Sequence, residues 1–318
     1  MKDQPLVSIL LNNYNYGRFL GEAIDSALNQ SYPHIEVVVV DDGSTDNSRE
    51  IIAGYGDRII PVLKENGGQA SAFNAGFAAS HGDIICFLDA DDVFLSEKVA
   101  AVVSVFKSNP DIGWCFHRLR DVDMDSGAVF RISPGIPSAV YDLRSVLKKR
   151  RRARLPIPGP ATSSLCFTRS LLKKILPMPE AEDVALNDMY LRCTALALSK
   201  GFFLNRHITD RRIHSNNRIA LNFTQPLSAK ITIFTAYWLR HKLPELAPYA
   251  NHLLASGIGL FWLSGGVELK DKQVMNDYLS SLSRLVKFKI RLMAFAYFLW
   301  YQVKSILYKA KRCYTQSS

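Results

Sequence analysis

Val37-Val38-Val39-Val40-Asp41-Asp42-Gly43-Ser44-Thr45-Asp46 and Ile84-Ile85-Cys86-Phe87-Leu88-Asp89-Ala90-Asp91-Asp92 decide the fold of this chain. Each is a short run of β-branched or bulky apolar residues that stops abruptly at carboxylates. A continuous apolar run of this length is what a strand buried on both faces looks like, as in a parallel sheet covered by helices. In open α/β sheets, ligands bind just outside the carboxyl ends of the strands. Two such ends carrying Asp predict a place for a cation and a nucleotide.

The alternation continues on both sides of these runs. Residues 6–11 predict a first strand, broken by the polar loop Asn12-Asn13-Tyr14-Asn15-Tyr16-Gly17. Phe19, Leu20, Ala23, Ile24, Ala27 and Leu28 recur at helical spacing, and Tyr32-Pro33 ends that helix. Further strands are expected over 35–40, 59–63, 83–88 and 112–116. Further helices are expected from an Asp46 cap to about residue 55, over 69–80 after the Asn66-Gly67-Gly68 turn, and from a Ser96 cap through 107. Two more are expected over 169–176 and 183–199, the latter stopped by Lys200-Gly201. Strands alternating with helices mean βαβ units and a mainly parallel sheet, an α/β class. Residues 121–162 carry no clear period and read as loops and edge strands over the site.

The net charge of +10 is unevenly placed. Residues 221–318 hold 13 Lys/Arg against 4 Asp/Glu, so the basic character belongs to the tail. The expected organisation is therefore a catalytic domain over 1–220 and a basic, aromatic-rich helical region over 221–318. Within that region, 246–267 has no charged residue over 22 positions, but Pro248, Asn251, His252 and 4 Gly argue for a buried helical pair over a membrane span. Residues 292–303 combine Phe295, Tyr297, Phe298, Trp300 and Tyr301 with flanking Lys287, Lys289, Arg291 and Lys304, the composition of an interfacial helix. An anionic partner is expected, with membrane headgroups ahead of nucleic acid. The run Lys148-Lys149-Arg150-Arg151-Arg152-Ala153-Arg154 has no stacking aromatics, so nucleic acid is not expected there; a phosphate-bearing acceptor or a membrane is. The 5 cysteines lack any zinc or CxxC spacing, and Cys86, Cys115, Cys166 and Cys193 read as reduced core thiols. Residues 1–11 show no secretory signal, and the expected location is the cytoplasm, at the inner face of a membrane.

Asp89-Ala90-Asp91 places two carboxylates at alternate positions after a strand. Oxygen ligands of this kind suit Mg²⁺ or Mn²⁺, which keep coordination positions for phosphate oxygens. Asp41 to Asp46 can accept from ring N–H and ribose hydroxyl donors. No GxGxxG, GxxxxGK[ST], HExxH or GxSxG is present, which disfavours dinucleotide dehydrogenases, P-loop ATPases, zincins and serine hydrolases.

Taken in order, these segments resemble family 2 glycosyltransferases of the GT-A fold. Val7 to Asn15 is similar to their opening strand and loop, Asp41-Asp42-Gly43-Ser44-Thr45-Asp46 to their second signature, and Asn66 to Gly76 to the loop-helix before the metal motif. Asp89-Ala90-Asp91-Asp92 resembles their DxD, and Asp188-Met189-Tyr190-Leu191 with Arg212-Ile213-His214 resembles the acidic helix start and RxH element. The resemblance spans roughly residues 5–217 and implies a nucleotide-diphospho-sugar transferase with a Rossmann-like sheet. It implies an inverting single displacement from a nucleotide-sugar donor, UDP-sugar favoured, to a saccharide or lipid-linked acceptor in polysaccharide or glycolipid assembly. Asn12, Tyr14, Asp42 and Asn74 would bind the nucleotide, Asp42 accepting from the base N–H. Asp89 would face ribose and metal, Asp91 and His214 the metal, and Arg212 the diphosphate. Asp188 would be the general base, with Glu182 and Asp183 as competitors upstream. Departures are Asn187 where Glu is common and Phe73 where Arg is common. The QxxRW element of processive synthases is absent, which implies one sugar per encounter. A nucleotidyltransferase and a non-catalytic nucleotide-sugar-binding scaffold are the rival readings; oligomeric state leaves no sequence signal.

Overall fold

Both decisive runs are strands. In the computed structural model, which describes residues 3–124, 126–149, 152–180, 186–214, 226–265 and 269–316, the chain divides into two compact units. The first comprises Met1–Arg144, Pro156–Glu182 and Leu191–Ser215; the second comprises Ser145–Leu155, Asp183–Tyr190 and Asn216–Ser318. This division is discontinuous, where the sequence suggests one boundary at 220.

The first unit opens with β1 (Val7–Asn13), α1 (Gly17–Leu28), β2 (Ile35–Asp42), α2 (Ser48–Gly54), β3 (Ile60–Lys64), α3 (Gly68–Ala79) and β4 (Ile84–Asp89). These four strands are parallel in the order β3-β2-β1-β4. The runs are apolar throughout because both faces are covered. Val37 and Val39 join the cluster under α1, with Leu20, Ala23 and Ile24. Val40 faces the opposite side, where a Cβ on Gly76 of α3 would lie 3.0 Å from its Cγ2. Phe73 of α3 stacks edge-on against Phe87 of β4 at 4.8 Å, so the position where an arginine is common is a core residue here. Full burial of one such side chain contributes about 1.5–3 kcal/mol.

The chain continues through β5 (Asp92–Phe94), α4 (Lys98–Ser108), β6 (Trp114–Asp123), β7 (Val129–Ile132), β8 (Ala139–Tyr141), α5 (Arg144–Lys148), β9 (Leu165–Thr168), α6 (Arg169–Ile175), α7 (Asp188–Leu198) and β10 (Gly201–Ile213). The sheet extends as β4-β9-β6-β10-β5, with β9 antiparallel to both neighbours, β6 and β10 parallel, and β5 antiparallel to β10. This order forces a curl. Four flat strand spacings would put β5 about 19 Å from β4. Yet Asp89 closes β4 and Asp92 opens β5, and three residues of chain reach at most about 10 Å. The sheet therefore bends until the two strands meet at Asp89-Ala90-Asp91-Asp92.

Asp46 acts as a cap twice over. Its carboxylate accepts the first N–H of α2, from Ser48 at 3.0 Å, and the first N–H of α1, from Gly17 at 2.8 Å. Ser96 does not cap α4. That helix starts at Lys98, and Gln30 Oε1 accepts the Val99 N–H at 3.0 Å in the role expected of a serine.

The second unit holds α8 (Pro226–Lys242), α9 (Ala247–Leu263), α10 (Leu269–Ser280) and α11 (Arg284–Gln316). Within the uncharged stretch 246–267, Ala247–Leu263 form one helix, α9, and not a pair. Pro248 sits in its first turn, where the missing N–H costs nothing. Its glycines are contact points: a Cβ on Gly257 would meet Ile233 Cγ1 of α8 at 2.7 Å, and one on Gly259 would meet the Ala294 carbonyl of α11 at 2.9 Å. Among the described residues no helix is long and apolar enough to cross a membrane. Cys86, Cys115, Cys166 and Cys193 are buried free thiols, as expected.

Candidate functional site

The curl brings three carboxylates of one loop together. Ligand atoms of Asp89, Asp91 and Asp92 all lie within 4.8 Å of one another. Neighbouring strands and a short turn hold them there. Register places Asn12 of β1 beside Asp89, and its Nδ2 donates to Asp89 Oδ1 at 2.8 Å. Gln69 Nε2 approaches the same oxygen at 3.4 Å. Ser163, fully buried in a single turn before β9, accepts the Asp89 N–H at 3.0 Å and donates to Asp92 Oδ2 at 2.5 Å. The buried Lys98 donates to the Ser163 carbonyl at 2.7 Å and lies over the Phe94 ring. Asp92 Oδ1 accepts the Arg212 N–H at 3.2 Å, so both Asp92 oxygens serve the framework.

The local field is strongly negative. Burial, then the charges of Asp91 and Asp89, push the Asp92 carboxyl well above the usual carboxylate range. Burial and the same three aspartates push the Tyr16 phenol up to about 12. His214 Nε2 lies 3.2 Å from Asp91 Oδ2, its ring packed on Phe19 at 4.5 Å and edge-on to Tyr16 at 5.7 Å. Crowded carboxylates with one imidazole form a donor set that fits Mg²⁺ or Mn²⁺.

Arg212 belongs to this cluster in a different capacity from the diphosphate contact expected. Its guanidinium donates to the backbone carbonyls of Asp91 at 2.6 Å and Phe19 at 3.1 Å, and pairs with Glu22 of α1. It holds the acidic loop against α1. Asn74 is also placed otherwise than expected. It donates to Met178 O at 2.8 Å and Glu180 Oε1 at 2.6 Å and accepts the Met178 N–H at 2.7 Å, so it clamps 178–180 onto α3.

A second group surrounds Asp42. Lys64 Nζ at 2.7 Å and the Gly67 N–H at 3.0 Å donate to Oδ1, and the Gly68 N–H at 2.8 Å donates to Oδ2. A carboxylate has about four acceptor positions, so this environment leaves Oδ2 able to take a further donor. Beside it, Asp41 is fully buried. Burial alone would raise its carboxyl, but hydrogen bonds from Ser44, Arg49 and Asn13 outweigh that and hold it below the usual range. Asn15, at φ 58°, laces the two loops by accepting the Thr45 N–H at 2.7 Å. Tyr14 stands exposed at the tip of the first loop. Asp188 belongs to the second unit, half-buried at the first position of α7, while Glu182 and Asp183 lie outside the described residues. Ser163, Lys98, Glu22, Lys64 and Gln69 complete these groups and were not expected from sequence.

A family model for glycosyl transferase family 2 matches residues 8–176. An uncharacterized glycosyltransferase of Nostoc sp. is 37% identical over 231 residues, covering 70% of this chain and 70% of the relative. One from Rickettsia typhi is 27% identical over 302 residues, covering 90% and 92%. Among solved structures, residues 1–349 of S. aureus TarS in complex with UDP-GlcNAc share the fold with a TM-score of 0.62 at 18% identity, over 92% of this chain and 89% of that one. A mannosyltransferase from Pyrobaculum calidifontis, in complex with GDP-Man and Mn²⁺, follows with a TM-score of 0.54 at 17% identity over 93% and 88%. With the two acid-ended parallel strands, the carboxylate loop and these matches together, the chain belongs to glycosyl transferase family 2 and is a glycosyltransferase with a GT-A-like α/β fold and a helical C-terminal region.

Proposed function

We propose that this enzyme is inverting and metal-dependent, and moves one sugar from a nucleoside-diphosphate donor to a hydroxyl of a saccharide or lipid-linked acceptor. The setting is the cytoplasmic face of a membrane, in polysaccharide or glycolipid assembly. The observation that carries this is the Asp89, Asp91 and Asp92 cluster at the seam of the sheet, joined by His214. The fold's similarity to proteins in complex with UDP-GlcNAc and with GDP-Man and Mn²⁺ supports the donor class.

Asp89, Asp91 and His214 would hold the cation. When bound, Mg²⁺ or Mn²⁺ supplies a Lewis acid that offsets the charge developing on the departing diphosphate. Arg212 keeps the loop carbonyls in place so that Asp91 meets its ligand without rearrangement, the preorganisation on which electrostatic catalysis depends. The Asn12 Oδ1 atom is buried with no hydrogen-bond partner, an acceptor suited to a ribose hydroxyl. Asp42 accepts the imino N–H of the base, and the Lys64 ammonium beside it suits a flanking ring carbonyl. That pairing favours a uracil or thymine donor. Tyr14 covers the base. Asp188 takes the proton from the acceptor hydroxyl as it attacks, because a sugar hydroxyl is too weak a nucleophile unaided.

Donor binding and slow donor hydrolysis, measured across UDP-, GDP- and dTDP-sugars with Mn²⁺, Mg²⁺ or EDTA, test the proposal. Metal-dependent hydrolysis of one nucleotide class is expected, with Asp188→Asn losing transfer while still binding donor. Pyrophosphate release from a nucleoside triphosphate would point to a nucleotidyltransferase. Donor binding indifferent to Asp188→Asn and without turnover would point to a scaffold.

A further inference from the structure

Helix α11 carries its apolar stripe on the wrong side for a buried helix. Leu285, Leu292, Leu299 and Ile306 fall seven residues apart, and Phe288, Phe295 and Val303 fill the spaces between. All seven are exposed, from 46% for Leu299 to 66% for Ile306. Ile290 and Ala294 of the same helix are fully buried. At about 100° per residue, those two lie on the side opposite the stripe. The helix thus has two apolar faces, one packed on α9 and one turned outward for about 32 Å of its length.

The charge around the outer face has one sign. Residues 284–316 contain 8 Lys/Arg and no Asp or Glu. Arg284 and Arg291 flank the stripe on one edge, with Lys289 and Lys304 on the other. Residues 152–154, the end of the basic run and remote in sequence, are fastened to the same helix. The Ala153 N–H donates to Tyr297 Oη at 2.9 Å, and Tyr249 Oη donates to the Ala153 carbonyl at 3.2 Å. Arg154 comes close enough to Lys304 for its charge to lower the lysine's pKa, after burial. Two cationic segments are therefore gathered at an exposed apolar helix where each repels the other. A second copy of this chain would bring like charge against like charge. An anionic lipid surface takes both features at once, with apolar side chains below the headgroups and cations among them.

We propose that the outward face of α11, from Leu285 to Ile306, lies in the interface of an anionic bilayer, with Arg152 and Arg154 held beside it as a second headgroup contact. This deepens the membrane setting proposed above, but it depends on binding and not on transfer. The test is flotation of the full chain with vesicles of phosphatidylcholine alone or mixed with phosphatidylglycerol, with donor hydrolysis in solution measured alongside. The chain is expected to float on the mixed vesicles and poorly on the neutral ones. Lys289→Gln with Arg291→Gln should weaken partitioning roughly 25-fold, at about fivefold per cation. Leu292→Ser with Phe295→Ser, both exposed and so compatible with folding, should weaken it at least about tenfold. Donor hydrolysis should stay at the wild-type level in both variants. A chain that floats but hydrolyses no donor would support this inference while refuting the proposed activity. Equal flotation of wild type and both variants would overturn the inference, as would no flotation on either vesicle. A lipid-free dimer that Leu292→Ser with Phe295→Ser converts to monomer would overturn it in favour of a subunit interface.

Discussion

Ser163→Ala should damage the acidic loop more than any substitution of comparable size elsewhere in the sheet. The hydroxyl is fully buried and serves both strands of the seam, accepting the Asp89 N–H at 3.0 Å and donating to Asp92 Oδ2 at 2.5 Å. Removing it leaves an amide with no acceptor, worth about 1–3 kcal/mol when buried, and deprives a carboxyl of a donor, worth about 1.5–3 kcal/mol if that group is charged. Burial and two neighbouring carboxylates push the Asp92 carboxyl well up, which places the second contribution at its lower end. The expected loss is about 2–4 kcal/mol. With a urea m-value of roughly 2–3 kcal/mol/M, the midpoint falls by about 1 M. Mn²⁺ affinity falls as well, because Asp89 and Asp92 are no longer tied to one atom. Urea unfolding and calorimetric Mn²⁺ titration read the two effects separately. A midpoint within about 0.2 M of wild type, with Mn²⁺ binding unchanged, would refute the assignment of Ser163 as the brace of the loop.

Arg212→Lys keeps the charge but loses the fork that reaches Asp91 O, Phe19 O and Glu22; a destabilisation of about 2–4 kcal/mol and weaker Mn²⁺ binding are expected, checked by the same two measurements. Gly259→Ala forces a methyl group against the Ala294 carbonyl and the Phe298 amide, backbone atoms that cannot turn aside, so thermal melts should show a loss of about 1–3 kcal/mol. Asp41 has a depressed folded-state pKa, so its contribution is fully present above the unfolded carboxylate value and is lost as pH falls through the folded one. The gap in urea midpoint between wild type and Asp41→Asn should therefore be constant above about pH 5 and shrink below about pH 4. A gap that persists at low pH would contradict this.

The parallel half of the sheet was legible because each of its strands is apolar on both faces and stops at a functional polar group. Strand direction has no such signature. β9 is just as apolar, and only its cross-strand partners, Cys166 beside both Cys86 and Cys115, show that it runs antiparallel between β4 and β6. β10 was missed as a long strand because its pairing with β6 shifts register between Leu204 and Asp210, which blurs the alternation. The carboxylates of the site were visible as clusters, but their supports were not. Ser163 sits in Thr162-Ser163-Ser164, a triplet that reads as an ordinary turn, and Glu22 reads as a solvated helix residue. Asn74 and Arg212 stood in the right motifs, but their contacts come from tertiary neighbours 104 to 193 positions away in the chain.

The seam of the curled sheet also sets when the site can exist during synthesis. The loop from Asp89 to Asp92 leaves the ribosome early, but the Arg212 amide that secures Asp92 lies 120 residues later. At about 5–20 residues per second, that is a delay of roughly 6–24 s. A nascent chain halted within that interval has its first four strands and all three aspartates, yet the piece that closes the loop has not been made. Truncated translation products would then be unable to compete with finished enzyme for scarce divalent ions or nucleotide sugar.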